Sequence, residues 1–170
     1  KNVNIANYYK KVYNDNNVGF TSGSSKWNSS ASNRFKQGRA KAVLFHQMVQ
    51  KGDISLKPNE TIKIISHSQG GAHAAGFAHE LMQYKDSHGK QLYQIEVIEY
   101  ITPHQPKDIS HPKGILGIQF SHPKDAIASD SPWYIPNGGT SFGKIPNIDQ
   151  FYGDDIMGGK GQPKAEGPAG

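Results

Sequence analysis

Apolar positions in this chain fall into runs of two kinds, one with helical spacing and one with strand spacing. Ile5, Tyr8, Tyr9, Val12 and Tyr13 stand at i, i+3, i+4, i+7 and i+8, which puts them on one stripe of a helix. The polar run ending at Asn17 closes that helix, and Val18–Thr21 reads as a short strand. Small polar residues over 22–30 then read as a loop. A second helix is predicted from Ser32 to Gln50, with Phe35, Ala42, Phe45 and Val49 on one face and Gly52 as its stop. After a turn at Lys57–Glu60, Thr61–Ser66 is β-rich. Gly70–Tyr84 is helical and apolar almost all round, as suits a helix packed closely on a sheet.

Leu92–Ile101 alternates and is a strand. Pro103, Pro106 and Pro112 interrupt regular structure before a further strand at Ile115–Phe120. From Ser121 onward the chain reads mostly as loop, and residues 158–170 read as a flexible Gly/Pro-rich tail. Helices alternate with strands, which predicts an α/β fold: a small, mostly parallel sheet flanked by helices. Residues 1–157 are expected to form one domain, with no internal repeat.

The length of 170 residues suits one domain with a core of its own. The absence of cysteine excludes disulfides and thiolate metal sites. A net charge of +5 favours anionic surfaces such as a phospholipid membrane. No basic cluster interleaved with aromatics and no metal-nuclease spacing occurs, so no nucleic-acid partner, metal or cofactor is expected. No apolar run approaches a membrane span. The chain opens on Lys1 without a signal-peptide pattern and reads as a piece of a longer protein.

The candidate chemistry sits in TIKIISHSQGGAHAAGFAHEL, residues 61–81. Ser66-His67-Ser68-Gln69-Gly70 approximates the G-x-S-x-G nucleophile elbow, a sharp turn between a strand and a helix that presents its serine. Ser66 replaces the usual first glycine, and the crowding expected across such a turn calls for small residues at 66 and 70. The N-terminal N–H groups of the following helix carry partial positive charge. The N–H of Gln69 is thus the expected donor to the oxyanion formed when Ser68 attacks a carbonyl. His67 is expected to point away from the serine, and His46, His73 and His79 read as packing or surface residues.

A serine nucleophile needs a base and an orienting carboxylate. In the order Ser, acid, His, Asp125 follows the ILGIQF strand and is the expected acid, with Asp130 as second choice. No histidine follows Asp125 in this sequence. The base is therefore expected beyond Gly170, with His122 and His104 as in-chain alternatives. The further alternative is a catalytically silent interaction domain that keeps the fold without the chemistry. The segment Ser129–Gly153, with Trp133, Tyr134, Phe142, Phe151 and Tyr152, reads either as an acyl-chain wall or lid or as a plain covering loop.

From about Val18 to Asp125 the chain resembles the lipase class 3-like α/β hydrolases. More narrowly, it resembles the lipase-type toxin domains at the C-termini of RHS-repeat and other polymorphic toxin proteins of bacteria. The resemblance rests on VGFTSGSSKW, IISHSQGGAHAAGFA, the strand ending YITPHQP, and QFSHPKDAIA. It implies an α/β-hydrolase fold, a Ser-Asp-His triad with Ser68 and Asp125, and lipid or other acyl-ester substrates. It also implies a second oxyanion donor near Ser24, secretion or delivery into a target cell within a larger bacterial protein, and an immunity protein as partner.

Overall fold

The computed structural model describes residues 5–23, 30–121 and 143–153. In chain order they form α1 (Ile5–Val12), α2 (Ala31–Lys51), β1 (Thr61–His67), α3 (Gly70–Leu81), β2 (Gln94–Ile101), a 3-10 turn (Pro106–Asp108), β3 (Leu116–Phe120) and β4 (Gln150–Tyr152). The four strands make one sheet in the order β1-β2-β3-β4, and every neighbouring pair is parallel. The α/β architecture with a parallel sheet follows from the alternation of element types, because parallel neighbours need crossovers. All strand carboxyl ends consequently lie along one edge of the sheet.

The ends of α2 are set by local chemistry. The Ser30 side chain accepts the Asn33 N–H at 3.2 Å and caps the first turn. At the other end Gly52 takes a left-handed conformation, φ 81°, and its N–H closes on Met48 and Val49 carbonyls, which glycine does without steric cost.

α3 lies between the sheet and α2, and its composition reflects both contacts. Ala72, Ala74, Ala75 and Ala78 join Ile98 and Tyr100 of β2 in the main core. A Cβ added at Gly38 of α2 would fall 2.0 Å from the His73 carbonyl oxygen, and one at Gly76 of α3 would fall 2.0 Å from that of Phe35. The two helices therefore meet backbone to backbone, each through a glycine. Phe45 packs edge-on to Phe77 with ring centroids 5.7 Å apart. A smaller cluster of Ala42, Leu81 and Tyr93 continues the core at the far end.

The opposite face of the sheet carries α1. Tyr9 and Tyr13, one helical turn apart, both donate their phenol hydroxyls to the Glu99 carboxylate, and Glu99 is largely buried. Lys63 lies over the Tyr13 ring at 5.2 Å and pairs with Glu96 at 3.0 Å. A register shift between Ile62 and Lys63 brings Glu96 and Glu99, three apart in sequence, to the same side. Burial and the adjacent Glu99 charge push both phenols far above their ordinary ionisation range. The predicted α1 stripe is thus only partly used, since Tyr8 is 58% and Val12 54% exposed.

α3 closes at Leu81 rather than Tyr84, and two further elements differ from the sequence-based expectation. Val18–Thr21 is not a strand; among the described residues β1 is a sheet edge, and this segment runs to the N-terminus of α3 instead. β4 was expected to be loop. Its three residues are too few to show a period, and pairing with β3 makes it a strand. A fully buried Gln119 organises the approach to β4. Its amide NH2 donates to the Gly143 carbonyl at 3.0 Å and to Ser121 Oγ at 2.9 Å, and its oxygen accepts the Ile145 N–H at 2.8 Å.

Candidate active site

β1 ends in the turn that carries Ser68. The Ser68 N–H still belongs to the sheet, donating to the Ile101 carbonyl at 3.0 Å. The chain then reverses: Ser68 has φ 51°, Gln69 is already helical at φ −59°, ψ −22°, and α3 begins at Gly70. A left-handed conformation costs an L-residue about 1–2 kcal/mol, and such strain concentrates where a side chain must be presented. The Ser68 carbonyl accepts N–H groups from Gly71 at 3.2 Å and His104 at 3.0 Å. The turn is therefore fastened to α3 on one side and to the loop after β2 on the other. Ser68 is half-buried and His67 exposed.

The turn is tight, but not where crowding was expected. Ser66 is buried, and its hydroxyl donates to the Glu99 carbonyl at 3.0 Å. A Cβ on Gly70 would meet Ser66 Cβ at 3.8 Å, an ordinary contact, so serine fits where glycine is usual. The close approaches lie one residue on and across the turn. A Cβ on Gly71 would come within 2.9 Å of Ile109 Cδ1, and one on Gly23 within 2.8 Å of Gly70 Cα. The segment ending at Gly23 thus rests directly on the first turn of α3.

The loop after β2 forms the next wall. Thr102 (φ 41°) and Gln105 (φ 56°) are both left-handed, while Pro103, His104 and Pro106 are buried. Thr102 N–H continues the ladder to the Phe120 carbonyl at 2.7 Å, and Ser121 N–H does the same to Tyr152 at 2.9 Å. Ser68, Thr102 and Ser121 therefore mark three successive strand ends on the edge where open α/β sheets bind ligands. Arg34 of α2, fully buried, donates to Gln105 Oε1 at 2.6 Å and braces this loop. Burial draws its guanidinium pKa down, and Asp108 partly offsets that.

Burial favours the neutral form of two other buried histidines. His111 Nε2 lies 2.9 Å from the Ile115 carbonyl, so that nitrogen carries the proton, and Nδ1, 2.9 Å from the Tyr100 hydroxyl, accepts. Burial lowers the His111 pKa, against smaller opposing effects of the Ile115 bond and Asp149. Burial likewise lowers that of His73, helped by Lys41.

Of the residues singled out from sequence, Ser68, Gln69 and His104 come together at this edge. Ser24, His122, Asp125 and Asp130 lie outside the described residues, as do Trp133, Tyr134, Phe142 and the 158–170 segment. Phe151 and Tyr152 fall in β4, where Tyr152 stacks on Phe120 at 5.4 Å. Among the described residues no histidine hydrogen-bonds the Ser68 hydroxyl, and no cluster of three or more His, Cys, Asp or Glu could hold a metal ion. Sequence reasoning passed over Arg34 and Gln105. The one visible signal was a cation inside an otherwise apolar helical stripe.

Comparison with protein-family models, curated proteins and solved structures finds no match to this chain. The resemblance to lipase class 3-like hydrolases therefore stands on the motifs alone.

Proposed function

We propose that this chain is a serine ester hydrolase of α/β-hydrolase type, acting on lipid or other acyl esters. The observation that carries the reading is the left-handed Ser68 held between a parallel strand and a glycine-led helix. In the proposed reaction Ser68 Oγ attacks the ester carbonyl and a histidine takes its proton. The oxyanion lies against the first turn of α3, at the Gln69 N–H and a second donor near Ser24. The alcohol leaves, and water releases the acyl group. Each oxyanion donor is worth about 100- to 1000-fold in rate.

Asp125 orients the base in this proposal. It follows Ser121 by four residues, and four residues span at most about 14 Å. Ser121 directly follows β3, two strands from the end of β1, a lateral distance of roughly 10 Å. His122 and His104 are the in-chain candidates for the base, and a histidine beyond Gly170 is the third. The sequence resemblance supports assignment as a lipase- or phospholipase-like toxin domain of a larger secreted bacterial protein, with a membrane surface as the place of action and an immunity protein as partner. The net charge of +5 fits an anionic membrane.

The second reading is the catalytically silent interaction domain. Turnover of p-nitrophenyl esters from butyrate to palmitate separates the two. Hydrolysis abolished by Ser68→Ala supports the enzyme. Hydrolysis unaffected by it contradicts Ser68 as the nucleophile, and none at any chain length supports the silent domain. His104→Gln and His122→Gln then identify the base if it lies in the chain.

A further inference from the structure

We infer that His73 is a positioning residue, which clasps the strap ending at Gly23 onto the nucleophile turn through Thr21. This inference rests on the hydrolase reading.

The strap, residues 15–23, has no regular secondary structure and is largely exposed. Asn17 ties its start to Glu60 at 3.2 Å. Its end reaches α3, where Thr21 Oγ1 lies 3.4 Å from His73 Nε2. A Cβ on Gly23 would sit 2.8 Å from Gly70 Cα and 3.0 Å from His73 Cβ. The backbone of Gly23 is thus seated between the helix start and the imidazole. Any larger residue there would lift the strap from the turn.

The imidazole is an expensive way to fill this space. His73 is 3% exposed and stands among Ala72, Ala74 and Ala75. Its Nδ1 is buried without a hydrogen-bond partner among the described residues, a cost of about 1–3 kcal/mol. An apolar side chain would fill the site without that cost. What the ring adds beyond packing is the Nε2 contact with Thr21. That contact sets the height of the strap above the α3 N-terminus, where the proposed oxyanion forms. Burial favours the neutral ring, either tautomer of which offers Thr21 a complementary partner. The clasp changes how well the strap is held during reaction rather than how substrate is gathered.

The test combines two measurements on wild type, Thr21→Val, Thr21→Ser and His73→Phe. Hydrogen exchange over 19–23 reports the strap itself, and the rate of Ser68 modification by a fluorophosphonate probe reports its consequence. Loss of one such hydrogen bond is worth about fivefold. Thr21→Val and His73→Phe are therefore expected to speed exchange about fivefold and slow the limiting modification rate by a similar factor, with the half-saturating probe concentration unchanged. Thr21→Ser is expected to behave as wild type. Thr21 is exposed, so its variants do not threaten the fold. Unchanged exchange and modification in Thr21→Val would overturn the clasp while leaving the hydrolase reading intact. Faster exchange with no modification of Ser68 in wild type would overturn that reading and, with it, the positioning role.

Discussion

Replacing Ser68 by glycine and by alanine separates the strain of the turn from the chemistry of its hydroxyl. Both changes remove the nucleophile. Only glycine also removes the penalty of φ 51°, because it lacks the Cβ that makes this conformation unfavourable. That penalty is about 1.5 kcal/mol for an L-residue. Glycine also gains freedom in the unfolded chain, which offsets about 0.7 kcal/mol. Ser68→Gly should therefore be more stable than Ser68→Ala by about 0.8 kcal/mol, or about 2 °C in Tm for a chain of this size. Urea denaturation of the two variants, followed by far-UV circular dichroism, measures the difference directly. Alanine exceeding glycine would show that position 68 is not held left-handed, and the elbow would fall with it.

Three further outcomes follow from the packing. Gly38→Ala should lower stability by about 1–3 kcal/mol, because the added methyl would fall 2.0 Å from the His73 carbonyl oxygen; helix propensity alone gives the opposite sign, so a rise in Tm would contradict the backbone contact between α2 and α3. Tyr13→Phe should cost about 1–2 kcal/mol by removing one of two hydroxyls from the Glu99 carboxylate, read as a lower urea midpoint at unchanged m-value. Stability should also fall as pH drops below about 6.5, because His73 and His111 have lowered pKa values in the fold. The unfolded chain then binds protons that the native state does not, so stability is full above the unfolded pKa and is lost as pH descends through the folded values. Urea midpoints at pH 7.5, 6.5 and 5.5 check this, a constant or rising midpoint counts against it, and His73→Phe should flatten the slope.

The parts of the fold visible in the sequence are those where one period dominates. β1 and α3 were legible because an apolar run changes into an alanine- and glycine-rich one at Ser68, and Gly52 marked the end of α2. The α1 stripe was visible, but not that Tyr9 and Tyr13 would reach the sheet while Tyr8 and Val12 stay exposed. Their partner Glu99 is a charge in an alternating strand, and it is covered by the tyrosines of the α1 region, a packing that a single sequence does not display. Val18–Thr21 has strand-like composition, yet its position is decided by Gly23 fitting against Gly70, a contact between residues far apart in the chain. β4 is three residues long and is created by its neighbour β3. At the candidate site the serine turn was legible from local pattern. Arg34, Gln105 and the Thr21–His73 contact were not, because each joins segments that only tertiary packing brings together.

A crystal structure of the chain after reaction with a fluorophosphonate tests the central proposal most directly. The account predicts phosphorus bonded to Ser68 Oγ, with the phosphonyl oxygen within hydrogen-bond distance of the Gln69 backbone N–H at the start of α3. A serine left unmodified under saturating probe, or an adduct whose phosphonyl oxygen faces away from that helix end, would contradict it.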